Sequence, residues 1–310
     1  MIAVAGEALI DLVATDGVLR PIPGGGPFNT AVALASLGVP VGYLGRLSDD
    51  RFGRLLEQLL TESGVDRRYV LHGTQPTPLA VVHTRPDGDA EYSFYLTGTA
   101  YAAITAADLP SLDADVVALH VGTLALATDP PAAALEELIE QEAGRRLIVV
   151  DPNVRPAVCG EPDVYRARFE RWAGRAHVIK LSAADAAWLY PGRSSEDVLE
   201  LVLERGARLA VLTLGGDGAA ARSGAGRARV SSPPVEVVDT VGAGDSFGAG
   251  FLRALWADGR LDVDSVGGLD GDELTRALEL ATAVGALQCS RAGAVPPTLA
   301  EVEAFMQQRS

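Results

Sequence analysis

Two hydrophobic periods alternate along this chain. Short, strongly apolar runs occur at 2–6, 41–45, 116–121, 147–150, 177–181, 209–214 and 235–238, and each gives way to a glycine or a polar turn. Runs of this length, rich in Val, Ile and Leu, read as buried strands. Between most of them the apolar positions recur every three to four residues. Phe52, Leu55, Leu56, Leu59 and Leu60 share one face of a helix predicted over 49–63. Helices are also predicted over 32–37, ended by Gly38, and over 130–143, 249–256 and 274–287. Alternating strands and helices imply an α/β fold: a mostly parallel central sheet with helices on both faces. A chain of 310 residues suits a single domain of this kind, spanning 1–310. One stretch breaks the pattern. From about 70 to 97 the period falls towards two, with strands at 79–84 and 90–96 about a Pro86-Asp87-Gly88-Asp89 turn. That is a β-hairpin inserted into a βα chain.

The residues able to do chemistry gather where predicted strands end. Val235-Glu236-Val237-Val238 runs into Asp239-Thr240-Val241-Gly242-Ala243-Gly244-Asp245, and a helix follows. Small residues at that junction leave backbone N–H groups open to a ligand, and a helix N-terminus favours negative charge. Gly242, Ala243 and Gly244 therefore form a candidate anion hole, with Asp245 at its mouth as a candidate base for a hydroxyl proton. The same letters also suit a glycine turn capped by Asp245. Glu7 and Asp11 follow the first strand, at the sheet end where open α/β sheets bind ligands. Gly24-Gly25-Gly26 lets backbone approach a ligand, and Asn29 opens the next helix. Asn153 and Arg155 leave the strand at 147–150 within Asp151-Pro152-Asn153-Val154-Arg155. Ser182-x-x-Asp185 is close to a capping box. Gly215-Gly216-Asp217-Gly218 reads equally as a hairpin turn or a phosphate-facing loop.

Composition removes several alternatives. The net charge of −15 argues against nucleic acid and anionic membrane as partners. No apolar run approaches the roughly eighteen residues a membrane helix needs. Lys180 is the only lysine and follows Ile179, so there is no Gly-Lys-[Ser/Thr] phosphate loop. Any nucleotide phosphate must meet backbone amides, arginine or metal. His72, His83, His120 and His177 lack zinc-ligand spacing. Cys159 and Cys289 give no disulfide framework, and the expected compartment is the cytoplasm. The acidic stretch 262–273 nearly fits a calcium loop, but Val266 stands where a ligand is needed, so an exposed loop between helices is expected. The glycine spacing at 24–26 is wrong for a dinucleotide fingerprint. A nicotinamide-dependent oxidoreductase built on Gly242-x-Gly244 remains a remote alternative, and a catalytically dead sugar sensor should lack Asp245.

Gly25-Gly26-x-x-Asn29-x-Ala31 and Asp239-Thr-Val-Gly-Ala-Gly-Asp245, in that order along the chain, resemble the amino-terminal and carboxy-terminal signatures of the ribokinase-like (PfkB) carbohydrate kinases. The resemblance covers nearly the whole chain. Gly6-Glu7-Ala-Leu-Ile-Asp11, Asp151-Pro-Asn153-Val-Arg155, Lys180-Leu-Ser182 and His120-Val-Gly-Thr123 look most like fructokinases within that family. It implies a ribokinase-like fold and ATP-dependent transfer of the γ-phosphate to a sugar hydroxyl, most like D-fructose to fructose 6-phosphate. Ribose, nucleosides and 2-keto-3-deoxy sugar acids are alternative substrates. It implies Asp245 as base, Gly242, Ala243 and Gly244 around the transferring phosphoryl group, and sugar contacts from Asp11, Gly25, Gly26, Asn29, Asn153 and Arg155. Nucleotide contacts are implied at Lys180, Ser182, Thr213, Gly215, Gly218 and Thr282. Asp185 would act indirectly on Mg²⁺; it stands, with Ser182, where the family often has Asn-x-x-Glu. A monovalent cation such as K⁺ would be held by carbonyls near Asp239, Val241 and 288–293. The hairpin, with 12–22 and the rest of 70–98, would form a lid over the sugar, and a homodimer would form through that lid.

Overall fold

The computed structural model describes residues 1–15, 18–84 and 90–309, and in it the expected α/β alternation is present. Its strands, in chain order, are β1 (Ile2–Ala5), β2 (Leu9–Thr15), β3 (Val18–Gly24), β4 (Val41–Ser48), β5 (Val70–Gly73), β6 (Leu79–Thr84), β7 (Ala90–Tyr95), β8 (Ala118–Gly122), β9 (Leu147–Asp151), β10 (Val178–Ser182), β11 (Leu209–Thr213), β12 (Ala219–Ser223) and β13 (Arg227–Val230). The larger sheet runs β13-β12-β11-β10-β9-β8-β1-β4-β5. Pairings from β11 through to β5 are parallel; β12 runs antiparallel to both of its neighbours, β11 and β13, and is the one reversed strand among those described in this sheet. β1, β8 and β9 are buried along their whole length, which explains their continuous apolar character. Helices lie on both faces. One core unites the helices Gly26–Ser36, Ala243–Ala257 and Gly271–Cys289 with one side of the sheet; the other unites Pro131–Glu142, Pro162–Ala173 and Ser195–Glu204 with the opposite side.

β1 and β8 are neighbours, yet the chain moves from β1 to β4 on one side and only later to β8 on the other. That reversal of strand order opens a crevice beyond the carboxyl ends of β1 and β8. Over it stands the smaller sheet, ordered β3-β2-β6-β7, in which β2 and β6 are parallel and the outer pairs antiparallel. The hairpin strands are as expected; the Pro86–Asp89 turn lies outside the described residues.

Four local expectations are corrected. Residues 70–73 do not join the small sheet: β5 pairs with β4 at the edge of the large one. Residues 235–238 form no strand, and Val237 and Val238 are 62% and 59% exposed. Pro233 and Pro234 precede them and lack the N–H that a ladder needs, while the N–H groups of Val238 and Asp239 turn to the Cys289 carbonyl. The first helix begins at Gly26, not after Asn29, because Pro27 sits in its first turn, where a missing N–H costs nothing. The acidic stretch 262–273 is not an open loop: Asp262 caps a short helix, Val263–Gly267, and Asp270 caps Gly271–Cys289. Among the described residues, no helix is long and apolar enough to cross a membrane.

Candidate active site

Two cavities meet at the start of the helix Ala243–Ala257. The first, of about 280 Å³, is polar and lies beneath the small sheet. It brings together Asp11 from β2, Gly25, Gly26 and Asn29 from the start of the first helix, Asn153 and Arg155 beyond β9, and Gly242, Gly244 and Asp245. The second, of about 290 Å³, is more apolar and is lined by Thr213, Gly215, Gly218, Ala243, Gly244 and Thr282, among others. Gly244 lines both. Two points separated by more than two hundred residues, Asp11 and Asp245, thus face one space, and the expected sugar-side residues are all in it.

Gly242 is the helix N-cap at φ 73°, a left-handed conformation that a side chain would strain. It turns the chain into the helix, with the Ala243 N–H donating to the Thr240 carbonyl at 3.2 Å and Gly244 reaching both cavities. Gly25 serves the opposite wall. Its φ is 106°, and a Cβ there would come 2.6 Å from the Glu7 carbonyl oxygen. Asp245, in the first turn of its helix and 7% exposed, accepts a hydrogen bond at 2.9 Å from Asn29 Nδ2. That bond ties the two ends of the chain together across the site.

Three carboxyls that line the first cavity, Glu7, Asp11 and Asp245, are raised above their ordinary range. Burial pushes Asp245 up to about 6, against the Asn29 hydrogen bond and the positive charge of Lys180. Burial and the neighbouring Asp245 charge raise Asp11 to about 7, against Arg155. Glu7 is raised to about 7 by burial, although it accepts hydrogen bonds from the Thr123 hydroxyl and the Ala125 N–H. For Lys180 burial favours the neutral amine, but the Asp151 charge outweighs it and the pKa is raised. A carboxylate held near neutrality, unprotonated at pH 7 and beside a cluster of amides, is equipped to take a proton from a bound hydroxyl.

Several expected nucleotide residues are placed differently. Thr213, Gly215, Gly218 and Thr282 line the second cavity, but the Thr282 hydroxyl donates back to the Leu278 and Glu279 carbonyls of its own helix. Lys180 lines neither cavity. Its Nζ pairs with Asp151 Oδ2 at 2.6 Å and lies 3.4 Å from where a Gly244 Cβ would stand, so it supports the glycine turn from below. Ser182 and Asp185 form the capping box. Both Asp185 oxygens are engaged, by the Val154 N–H and by the Ser182 N–H and hydroxyl, so its place is to hold the 153–155 turn. Asn153, at φ 37°, accepts from Arg155 Nη1 at 2.6 Å, and this turn aims both side chains at the first cavity.

Sequence reasoning missed Thr123, Tyr92 and Phe94, and left Glu7 without a role. Thr123 follows β8 at the switch point, and its hydroxyl is fixed by Glu7. Tyr92 and Phe94 alternate on β7 so that both face the first cavity, their rings stacked 5.9 Å apart. Only the period-two spacing could have signalled that they share a face. His120 does not reach either cavity: it is buried in β8, and burial lowers it to about 3.

Known proteins match this arrangement along its length. The family model for pfkB family carbohydrate kinases matches residues 1–300. A fructokinase of Rhizobium leguminosarum bv. trifolii is 38% identical over 279 residues, covering 88% of this chain and 85% of the relative. Among solved structures, the fructokinase of Xylella fastidiosa with bound ATP superposes with a TM-score of 0.91 at 27% identity, covering 99% of this chain and 98% of that one. A Vibrio cholerae fructokinase double mutant, in a form with fructose, ADP and potassium ion bound, gives 0.87 at 30% identity, covering 98% and 97%. With a family match over almost every residue and the two signature glycine turns facing each other across Asp245, the chain belongs to the pfkB family of carbohydrate kinases.

Proposed function

We propose that this kinase transfers the γ-phosphate of ATP to the 6-hydroxyl of D-fructose. The observation that carries the reading is the position of Asp245, a near-neutral buried carboxylate on the polar side of a glycine turn that opens on its other side to a second cavity. In this reading the sugar occupies the polar cavity. Asp11, Asn29, Asn153 and Arg155 orient it by its hydroxyls, and Gly25 and Gly26 bring backbone against it. Asp245 takes the proton from the attacking hydroxyl as the oxygen–phosphorus bond forms. The amides of Gly242, Ala243 and Gly244 meet the negative charge on the transferring phosphoryl group, where positioning and electrostatics dominate catalysis. Lys180 strengthens that field from below the turn. ATP lies in the second cavity, along the Gly215–Gly218 turn and the helix that carries Thr282.

Mg²⁺ would reach the site on the nucleotide. Among the described residues no cluster of three or more acidic, histidine or cysteine side chains could cage it, which fits a metal held chiefly by phosphates and water. When bound, it supplies charge neutralisation on the phosphates. The small sheet acts as the lid: Asp11 on β2 and Tyr92 and Phe94 on β7 line the sugar cavity from above, so its closure excludes water that would compete for the phosphate. Its Val18, Leu19 and Tyr95 are exposed apolar groups suited to a second copy of the chain. The enzyme works in the cytoplasm.

The test is an ADP-release screen across fructose, ribose, nucleosides and 2-keto-3-deoxy sugar acids, with the product position read by phosphorus NMR. Fructose should give the highest kcat/KM and the 6-phosphate. A preference for any of the other acceptors would replace fructose as the substrate, and no sugar-dependent ADP release would remove the kinase mechanism.

A further inference from the structure

The resemblance that implies a monovalent cation places it among carbonyls near Asp239, Val241 and 288–293, beside the glycine turn. These residues do meet, but they do not fit a cation. The side chain of Gln288, 0% exposed at the end of the helix Gly271–Cys289, reaches into their midst. Its Nε2 donates to the Val241 carbonyl at 3.2 Å and to the Gly293 carbonyl at 2.6 Å, while its Oε1 faces the Ser246 hydroxyl at 3.5 Å. The reverse orientation of the amide would set its oxygen against two carbonyl oxygens, so the NH₂ group belongs there.

The surrounding oxygens are also supplied with protons. Asp239 accepts from the Val241 N–H through Oδ1 and from the Gly293 N–H through Oδ2, at 3.0 and 2.8 Å. The Cys289 carbonyl accepts from Val238 and Asp239, the Gln288 carbonyl from Arg291, and the Gly293 carbonyl also from Val295. A cation placed between Val241 and Gly293 would sit against the two N–H hydrogens of an amide rather than against lone pairs. Binding there would require breaking the two buried hydrogen bonds of the Nε2 group and turning the Gln288 amide over.

We propose that the Gln288 amide takes the place of the monovalent cation in this enzyme, tying the 239–242 segment to the 289–293 loop and holding the anion-binding glycine turn in shape without K⁺. Its hydrogens point where the ion's charge would act. Activation by K⁺ is therefore absent. Replacing the amide by a carboxylate of the same shape, Gln288→Glu, removes both donors and leaves a negative charge beside two carbonyl oxygens, an arrangement that a monovalent cation stabilises.

The proposal is tested by thermal unfolding and by turnover, each in KCl and in tetramethylammonium chloride at equal ionic strength and pH 8. The kinase assay rests on the fructokinase reading, whereas the unfolding assay does not, so failure of the substrate assignment leaves the second measurement intact. The wild-type protein should show the same Tm and the same kcat in both salts. Gln288→Glu should be less stable in tetramethylammonium and regain about 5 °C in KCl through binding to the folded state, with kcat recovering in parallel. Gln288→Ala, which leaves an amide-sized space between the carbonyls, gives a second reading in the same direction if the glutamate variant does not fold. A wild-type Tm or kcat that rises several-fold or by several degrees in KCl overturns the proposal, and so do folded variants that respond to neither salt.

Discussion

Replacing Asp245 by asparagine should cost activity and add stability, and both effects follow from its surroundings. Asn29 Nδ2 already donates to Asp245 Oδ2. An asparagine at 245 must turn its carbonyl towards that donor, which leaves its own NH₂ on the side facing the sugar cavity, where an acceptor is needed. The base is lost with the fold unchanged. A positioned base contributes about 10²–10⁴-fold, or about 3–5 kcal/mol of barrier, and kcat should fall by that factor. The stability change has the opposite sign. The carboxyl stands at about 6 in the fold against 3.8 ordinarily, mainly through burial. The folded state therefore takes up a proton between roughly pH 4 and 6 that the unfolded chain does not. The fold loses stability as pH rises through that window and carries the full penalty at pH 8, at most about 3 kcal/mol at 1.4 kcal/mol per tenfold change. A neutral asparagine escapes it. Its Tm should exceed that of the wild type by about 3–8 °C at pH 8, with the difference closing towards pH 4. The assays are coupled ADP release at saturating ATP and scanning calorimetry across pH. Turnover near the wild-type value would show that Asp245 is not the base. A Tm unchanged or lowered at pH 8 would show that its charge is not held at a cost, and with it the electrostatic reasoning would fall.

Two further outcomes are expected. Asp11→Ala should raise the fructose KM by about 10–150-fold, each hydrogen bond to a charged group being worth roughly 1.5–3 kcal/mol, while the ATP KM stays constant; calorimetric fructose affinity equal to the wild type would take Asp11 out of the sugar site. The pH dependence of kcat/KM should show activity lost as pH falls through about 6, because Asp245 must be ionised to accept a proton and is raised to about 6 by burial; Asp11 and Glu7, both raised to about 7, broaden that limb upwards, and an acid limb centred near 4 would contradict the assignment.

Much of this was legible before any coordinates. Continuous apolar runs in β1, β8 and β9 determined a sheet buried on both faces, because an exposed face would have demanded alternation. Glycines before Asp245 and before Asn29 determined that backbone would approach something there, since those letters are otherwise a liability at a helix start. What the letters could not carry were partners. The run 235–238 looks like a strand by composition, but a strand exists only if a neighbour completes its ladder, and after two prolines none does. Ser182 and Asp185 have the types of a metal site, yet Asp185 spends one oxygen on the Val154 N–H of the 153–155 turn and the other on Ser182, whose hydroxyl in turn caps the helix. Lys180 is the only lysine, and its burial against Asp151 beneath Gly244 comes from the adjacency of β9 and β10. Gln288 is one more polar letter at the end of a helix. Its meaning comes from the carbonyls of Val241 and Gly293, brought to it from 47 residues before and 5 after. Local pattern reports which surface each residue prefers; only the closed fold decides which hydrogen bonds and charges meet there, because those partners are far apart along the chain and close in space.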